Sequence, residues 1–78
     1  MKKYSVVTTS HGNRHWAKGG KAELSLERAT KIAKAEHFHY QSSDIAARIE
    51  VIEIKPNGQH GDTVAEYYAI PMRFFADK

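Results

Sequence analysis

A short helical pattern between two strand-like segments is the feature that most restricts the fold of this chain. Ser25 is a good helix N-cap residue, and Glu27 places a negative charge in the first turn, where the helix dipole favours it. The apolar residues then repeat at helical spacing; they are Leu26, Ala29, Ala33 and, beside them, Ile32. Because this stripe is narrow and built mostly from small side chains, we expect the helix to pack on a sheet and to end near His37.

The segments before this helix have the composition of β-strands. Residues 3–10, KYSVVTTS, are β-branched and aromatic, and the HGN that follows at 11–13 has turn chemistry. A second strand is expected within RHWAKGGKAEL (14–24), where Gly19 and Gly20 mark a bend. These residues therefore predict an N-terminal pair of strands.

The segment after the helix, residues 45–56, alternates apolar and polar residues but changes phase at Val51 and Ile52. A period of two that slips by one residue predicts a β-bulge or a strand that leaves the main sheet. PNGQHGD is a polar turn, TVAEYYAIP (63–71) is the return strand, and the phenylalanines at 74 and 75 are expected to cover the sheet or a partner. The predicted fold is α+β, an antiparallel four-stranded sheet with one helix on one face (β-β-α-β-β), in a single domain over residues 1–78.

Composition limits the cellular setting and the class of function. The 78 residues include no cysteine, which excludes disulfides and thiolate metal sites and favours a reducing compartment. No stretch approaches the roughly 20 apolar residues of a membrane helix, and the start MKKYSVVTT lacks the apolar segment of a signal peptide. We therefore expect a cytoplasmic protein of a bacterial cell that has no membrane partner.

Charge is distributed unevenly along the chain, although the formal net charge is only +3. Residues 1–34 carry eight basic and two acidic side chains, a net of +6, whereas residues 35–78 carry four basic and seven acidic ones, a net of −3. This polarity favours a polyanion or an acidic protein surface as the partner of the N-terminal half. Two solvated faces that differ in charge would give the same pattern.

The sequence gives weaker support for a metal or catalytic site. Two of the pairs among the five histidines, His11/His15 and His37/His39, have spacings that suit zinc, but no carboxylate is placed as an obvious further ligand. Ser10 precedes His11, yet no orienting group or oxyanion hole can be assigned. We expect no cofactor, no metal and no enzymatic activity. An alternative to the binding functions considered below is a small RNA-cleaving enzyme that uses histidine acid–base chemistry.

Basic and aromatic residues of the N-terminal half are the best candidates for binding a partner. In the predicted second strand Arg14, Trp16 and Lys18 would share one face, and on the helix the outer arc carries Arg28, Lys31 and Lys34. Such residues contact acidic side chains or nucleic-acid phosphates. Two alternatives stay open: a lone tryptophan in a small domain is more often a core residue, and the helix arc is also typical of a solvated face with a Glu27–Lys31 pair.

The segment SLERATKIAKAEHF (25–38), followed by a strand containing ARIE (47–50), resembles the small phage-encoded anti-CRISPR proteins that inhibit type I-F surveillance complexes. The similar positions are Ser25, Leu26, Ala29, Ile32, Ala33, Glu36, Phe38, Arg48, Ile49 and Glu50. The chain departs from the pattern in its longer 40–47 connection, its longer final hairpin and its histidine content. The resemblance implies a β-β-helix-β-β protein that inhibits a CRISPR-Cas effector without enzymatic activity. Its implied partner is a protein subunit of that complex, with or without nucleic acid, and its implied effect is to interfere with target DNA recognition.

The alternative function is that of a small nucleic-acid-binding phage accessory or regulatory protein. The two functions differ in partner, because a direct binder should bind free nucleic acid with an affinity that falls steeply with salt. In either case we expect a monomer or a homodimer, the latter through an exposed edge strand.

Overall fold

The chain folds in the predicted β-β-α-β-β order. The computed structural model describes residues 2–21 and 23–71, so the expectation for the phenylalanines at 74 and 75 lies outside the described residues. The elements are β1 (Lys3–Ser10), β2 (Asn13–Trp16), α1 (Leu26–Ser42), β3 (Ala47–Ile54) and β4 (His60–Ala69). Within the described residues the strands form one antiparallel sheet in the order β2-β1-β3-β4, with α1 packed on one face. The α+β class is therefore confirmed.

The turn between β1 and β2 uses backbone conformations that few residues adopt. His11 and Gly12 both have positive φ, 53° and 80°, and the flanking Ser10 and Asn13 are paired across the ladder. Two consecutive left-handed residues match the right-handed twist of the flanking strands, which is why this short connection closes a hairpin. The turn predicted at 11–13 is confirmed.

The strand predicted over 14–24 is interrupted, because the chain leaves the sheet after Trp16. Ala17 donates its N–H to the Val6 carbonyl (3.0 Å), and the Val6 N–H donates to the carbonyl of Gly20 (2.9 Å). The residues between these two bonds loop out, and Leu24 later pairs with β1 again through an isolated bridge. The bend predicted at Gly19 and Gly20 is confirmed, but β2 is only four residues long.

Helix α1 begins as predicted and ends later than predicted. Ser25 caps its first turn by accepting a hydrogen bond from the Arg28 N–H (3.3 Å), and Ala29 and Ala33 are completely buried against the sheet. The end predicted near His37 is wrong, since the helix continues to Ser42. Contacts with other elements stabilise the extra residues: Tyr40 packs against the core, and the Gln41 side chain bonds to the segment after β4.

Strand β3 is buried on both faces where its apolar pattern changes phase. Val51 packs with α1, and the next residue, Ile52, is buried on the opposite face. The register shifts at this point, because Val51 pairs with Ala65 and Ile52 with Thr63, which leaves Val64 as an extra residue. A bulge was predicted at this position and is confirmed, with the extra residue lying in β4 rather than in β3.

The β3–β4 hairpin bends over the sheet face opposite α1, which we call the open face. The ring centroids of His60 on β4 and Trp16 on β2 are 5.3 Å apart, although these strands lie at opposite edges of the sheet. Beneath them Val7 and Ile52 are buried. The phase change in β3 therefore has a physical cause: the better-covered face changes from the α1 side to the side over which the hairpin bends.

Candidate functional site

The outer side of α1 presents a basic surface with an aromatic residue in it. Its members, which we call the helix surface, are Arg28, Lys31, Lys34 and Phe38. All four are exposed, on the side away from the buried Ala29 and Ala33. Phe38 is 73% exposed, the highest value among the exposed large hydrophobic residues of the described part of the chain. Lys34 and Lys31 lie one and two turns before it on the same side of the helix.

The helix surface keeps a positive charge, because its acidic neighbours neutralise little of it. The Lys31 Nζ–Glu27 Oε1 distance is 3.9 Å, and both side chains are more than three-quarters exposed (77% and 82%), so this pair is weak. Glu36 turns inward and accepts a hydrogen bond from the Thr8 hydroxyl (2.9 Å). The surface is therefore suited to an acidic partner.

Lys18 lies apart from the other residues predicted for the second strand. Because the chain leaves the sheet after Trp16 and Ala17 is buried, the expected common strand face of Arg14, Trp16 and Lys18 does not form. Lys18 instead borders a surface groove of about 360 Å³ along α1, next to Ile32, Ala35, Glu36 and His39. Lys18 therefore lies on the α1 side of the sheet, apart from Arg14 and Trp16.

Arg14 and Trp16 lie on the open face, opposite the helix surface. His15 between them points to α1, where its Nε2 is 3.4 Å from the Tyr40 hydroxyl, so the residues on either side of it point away. Trp16 is 37% exposed and meets His60 edge to face. The indole is thus neither a core residue nor fully exposed, and the six predicted binding residues are divided between two faces of the molecule.

A network around the buried Glu50 lies on the open face beside Val7, in the cross-strand row that also contains Trp16. Glu50 is 4% exposed and accepts hydrogen bonds from Arg48 Nη2 (3.0 Å) and the Thr63 hydroxyl (2.9 Å). Burial raises the pKa of Glu50, but the bonds from Arg48 and Thr63 together with nearby positive charge, including that of Arg14, outweigh it and hold the pKa below its ordinary value. Nearby, Tyr68 donates to Glu66, which raises the pKa of Tyr68. These groups hold one another in place.

The five histidines do not form one cluster, although His15 and His60 line the same cavity beside Trp16. His11 Nδ1 is 3.5 Å from the Ser10 hydroxyl, which donates to the Ala46 carbonyl, and His37 Nε2–H donates to the Tyr68 carbonyl (3.0 Å). His39 packs edge-on against Tyr40. Within residues 2–21 and 23–71, no three His, Asp or Glu side chains come together as a metal site.

Two residues of these surfaces were missed at the level of sequence. Phe38 falls on the same helix arc as Lys31 and Lys34, so a helical wheel continued beyond residue 37 would have included it. His60 could not have been found in this way, because its position beside Trp16 depends on the bending of a hairpin across the whole sheet.

Comparison with known proteins gives no relative: no protein-family model, curated protein or solved structure matches this chain. Among the described residues, no helix is long and apolar enough to cross a membrane.

Proposed function

We propose that this protein is a non-enzymatic binding protein whose helix surface docks on an acidic patch of another protein. Phe38 carries the proposal, because a phenyl ring 73% exposed to water gains free energy when an apolar pocket covers it. Lys31 and Lys34 on the same side of α1 favour a pocket with an acidic rim, since complementary charge directs the approach of the partner and fixes its orientation.

A protein suits this surface better than a nucleic-acid backbone does. Phosphates would attract the lysines, but a regular phosphate backbone offers no apolar pocket for Phe38, whereas aromatic anchors are common at the centres of protein interfaces. The surface is also preorganised, since Ser25 caps α1 and the buried Ala29 and Ala33 fix it on the sheet. Little conformational freedom is then lost on binding.

We propose further that the partner is a subunit of a CRISPR effector complex in the bacterial cytoplasm, and that binding interferes with target DNA recognition. The support is the resemblance to anti-CRISPR proteins noted for SLERATKIAKAEHF, residues 25–38. This same segment carries every residue of the helix surface. The interface residues themselves follow from exposure and charge.

The test combines a pull-down with a plaque assay in a host with an active type I-F system. The tagged protein should enrich Cas subunits and restore plaques of a targeted phage. Phe38→Ala should weaken binding by about 2 kcal/mol or more, roughly 30-fold in affinity, as expected for an interface anchor. The double reversal Lys31→Glu/Lys34→Glu should also reduce both readouts.

The matched control is Lys55→Glu, which reverses an exposed lysine after β3, remote from α1. It should leave enrichment and plaquing unchanged, and the circular dichroism spectra of all variants should agree because the changed side chains are exposed. Absence of both Cas enrichment and plaque restoration overturns the CRISPR assignment. Inhibition that survives Phe38→Ala and the double reversal overturns the helix surface as the interface.

A further inference from the structure

A groove on the open face lies outside the helix surface and has no part in the function proposed above. It consists of two cavities of about 260 Å³ and about 200 Å³, and both are lined by Trp16 and His60. The first is also lined by Val7, Arg14 and His15, and the second by Lys21 and Glu23 among others. We call the two together the Trp16 groove.

The rings in this groove are held in place and are still accessible. Trp16 and His60 meet edge to face, with 71° between their planes, and the buried Val7 supports them from below. Both aromatic residues are nevertheless exposed in part. An aromatic ring that is fixed and accessible is a platform on which any nucleobase can stack, whatever the sequence of the strand.

Basic side chains lie on both sides of the ring pair. Arg14 borders one cavity and Lys21 the other, so positive charge flanks the aromatic platform along the groove. The second cavity also has an acidic residue, Glu23, whose Oε2 is 3.9 Å from Lys3 Nζ in an exposed and therefore weak pair; Arg14 and Lys21 still outnumber this carboxylate along the groove. A nucleic-acid strand, in which each base has a phosphate group on either side along the backbone, matches this arrangement of one ring platform between two cations.

We propose that the Trp16 groove binds single-stranded nucleic acid, with a base stacked on Trp16 and flanking phosphates at Arg14 and Lys21. A duplex does not suit the site, because its bases are already stacked on one another and their faces are inaccessible. A protein partner is less suited than at the helix surface, since the aromatic rings line a groove instead of protruding. The proposal does not depend on the function proposed above, which uses the opposite side of the molecule.

Trp16 allows a direct test, because it is the single tryptophan of the chain and its emission reports on this groove alone. The full-length protein is titrated with oligothymidylate of about 12 nucleotides, within the usual range of single-strand site sizes. Tryptophan emission should be quenched to saturation. A duplex of the same length and concentration should leave the emission unchanged.

Variants are compared by the anisotropy of a fluorescein-labelled oligothymidylate. Trp16→Ala and His60→Ala should weaken binding by about fivefold or more, whereas Trp16→Phe, which keeps an aromatic face, should restore part of the loss. Arg14→Ala should weaken binding and lower the slope of log K against log salt by about 0.7, the value for one phosphate contact on a single strand. Arg28→Ala is the matched control, since it removes an exposed arginine on the opposite side of the molecule, and Phe38→Ala should have no effect.

Several results would overturn the proposal: no quenching, equal affinity for duplex, or equal losses for Arg28→Ala and Arg14→Ala. If Trp16→Ala unfolds, Arg14→Ala still decides the question, because Arg14 is exposed and its substitution leaves the rings in place. Loss of oligonucleotide binding in Phe38→Ala would also overturn it and assign the nucleic acid to the helix surface. Failure here leaves the plaque assay unaffected, so the two proposals fail separately.

Discussion

Gly20 shows how closely the loop after β2 packs against β1. A Cβ atom on this residue would lie 2.6 Å from the Val6 carbonyl oxygen and 2.8 Å from the Val6 Cβ. Neither atom can move away easily, because Val6 is completely buried and both its backbone N–H and its carbonyl are hydrogen-bonded to this loop. The glycine is thus required for close contact between two backbones.

Gly20→Ala should therefore destabilise the fold by about 1–3 kcal/mol, the usual cost of adding atoms to a tightly packed site. Urea unfolding measures the change in the free energy of unfolding. Gly58→Asn is the control, since Gly58 has φ +85° with open space around it, and Asn tolerates a left-handed conformation. A Gly20→Ala protein as stable as the wild type would show that β1 and the loop can separate without cost.

At the residue scale, some of these roles were predictable from sequence and others were not. The cap at Ser25 follows from local chemistry, because its side chain bonds to a backbone group three residues away. A bend at Gly19 and Gly20 was predicted from composition in the same way. The reason that residue 20 must be glycine lies in Val6, fourteen positions earlier, and no local pattern contains that information.

Helix α1 gains its last turn from contacts with the end of β4. The Gln41 side chain both donates to the Ile70 carbonyl (2.7 Å) and accepts from the Ile70 N–H (3.0 Å), while His37 bonds to the Tyr68 carbonyl. The helical apolar period fades after residue 37, so sequence reasoning ended the helix there. Tertiary contacts override that weak local signal, as they commonly do.

Removing the paired hydrogen bonds should loosen this end of the helix. Gln41→Ala should lower the free energy of unfolding by about 1–2 kcal/mol, because two backbone groups of Ile70 lose their partner. Thermal unfolding gives the size of the effect, and hydrogen exchange should show faster exchange in the last turn of α1.

Ser42→Ala is the control for this change, as it alters the neighbouring exposed position of the same turn. Its effect should stay within about 0.5 kcal/mol, the usual range for surface substitutions. If the two variants were equally stable, the contacts with Ile70 would not be what extends the helix.

The whole molecule presents its two candidate surfaces on opposite sides. Charge counting along the chain placed the positive residues in the N-terminal half, which includes both groups. Charge counting could not assign these two groups to different sides of the molecule. That assignment requires knowing that α1 lies against the sheet face to which His15 points. The fold class could be predicted because it depends on periodicity; the division of Arg14 and Trp16 from Arg28, Lys31 and Lys34 depends on three-dimensional packing.

Acid should weaken the fold through Glu50. The pKa of Glu50 in the folded protein lies below its ordinary value of 4.5, so the unfolded chain takes up the proton more readily. The stability that the ionised carboxylate contributes is complete above the ordinary pKa and is lost as the pH falls through the folded-state pKa. Stability should therefore fall with pH in that window.

Glu50→Gln tests this contribution. The variant should be less stable at neutral pH by about 1–3 kcal/mol, because Arg48 and Thr63 lose a charged acceptor, and its stability should fall less steeply between about pH 5 and about pH 3. Urea unfolding over a pH series gives both quantities. An unaltered acid slope in Glu50→Gln would contradict the assignment.

The extra residues in β4 have a consequence for how this protein behaves at high concentration. Among the described strands β4 is the long one at the edge of the sheet, ten residues with side chains such as Val64 and Tyr68 exposed. A long, regular edge would invite another chain to add a strand and begin aggregation. Two breaks in the register twist this edge out of line, so an approaching strand finds no continuous ladder to extend. The irregularity thus makes β4 a poor template for the addition of another strand.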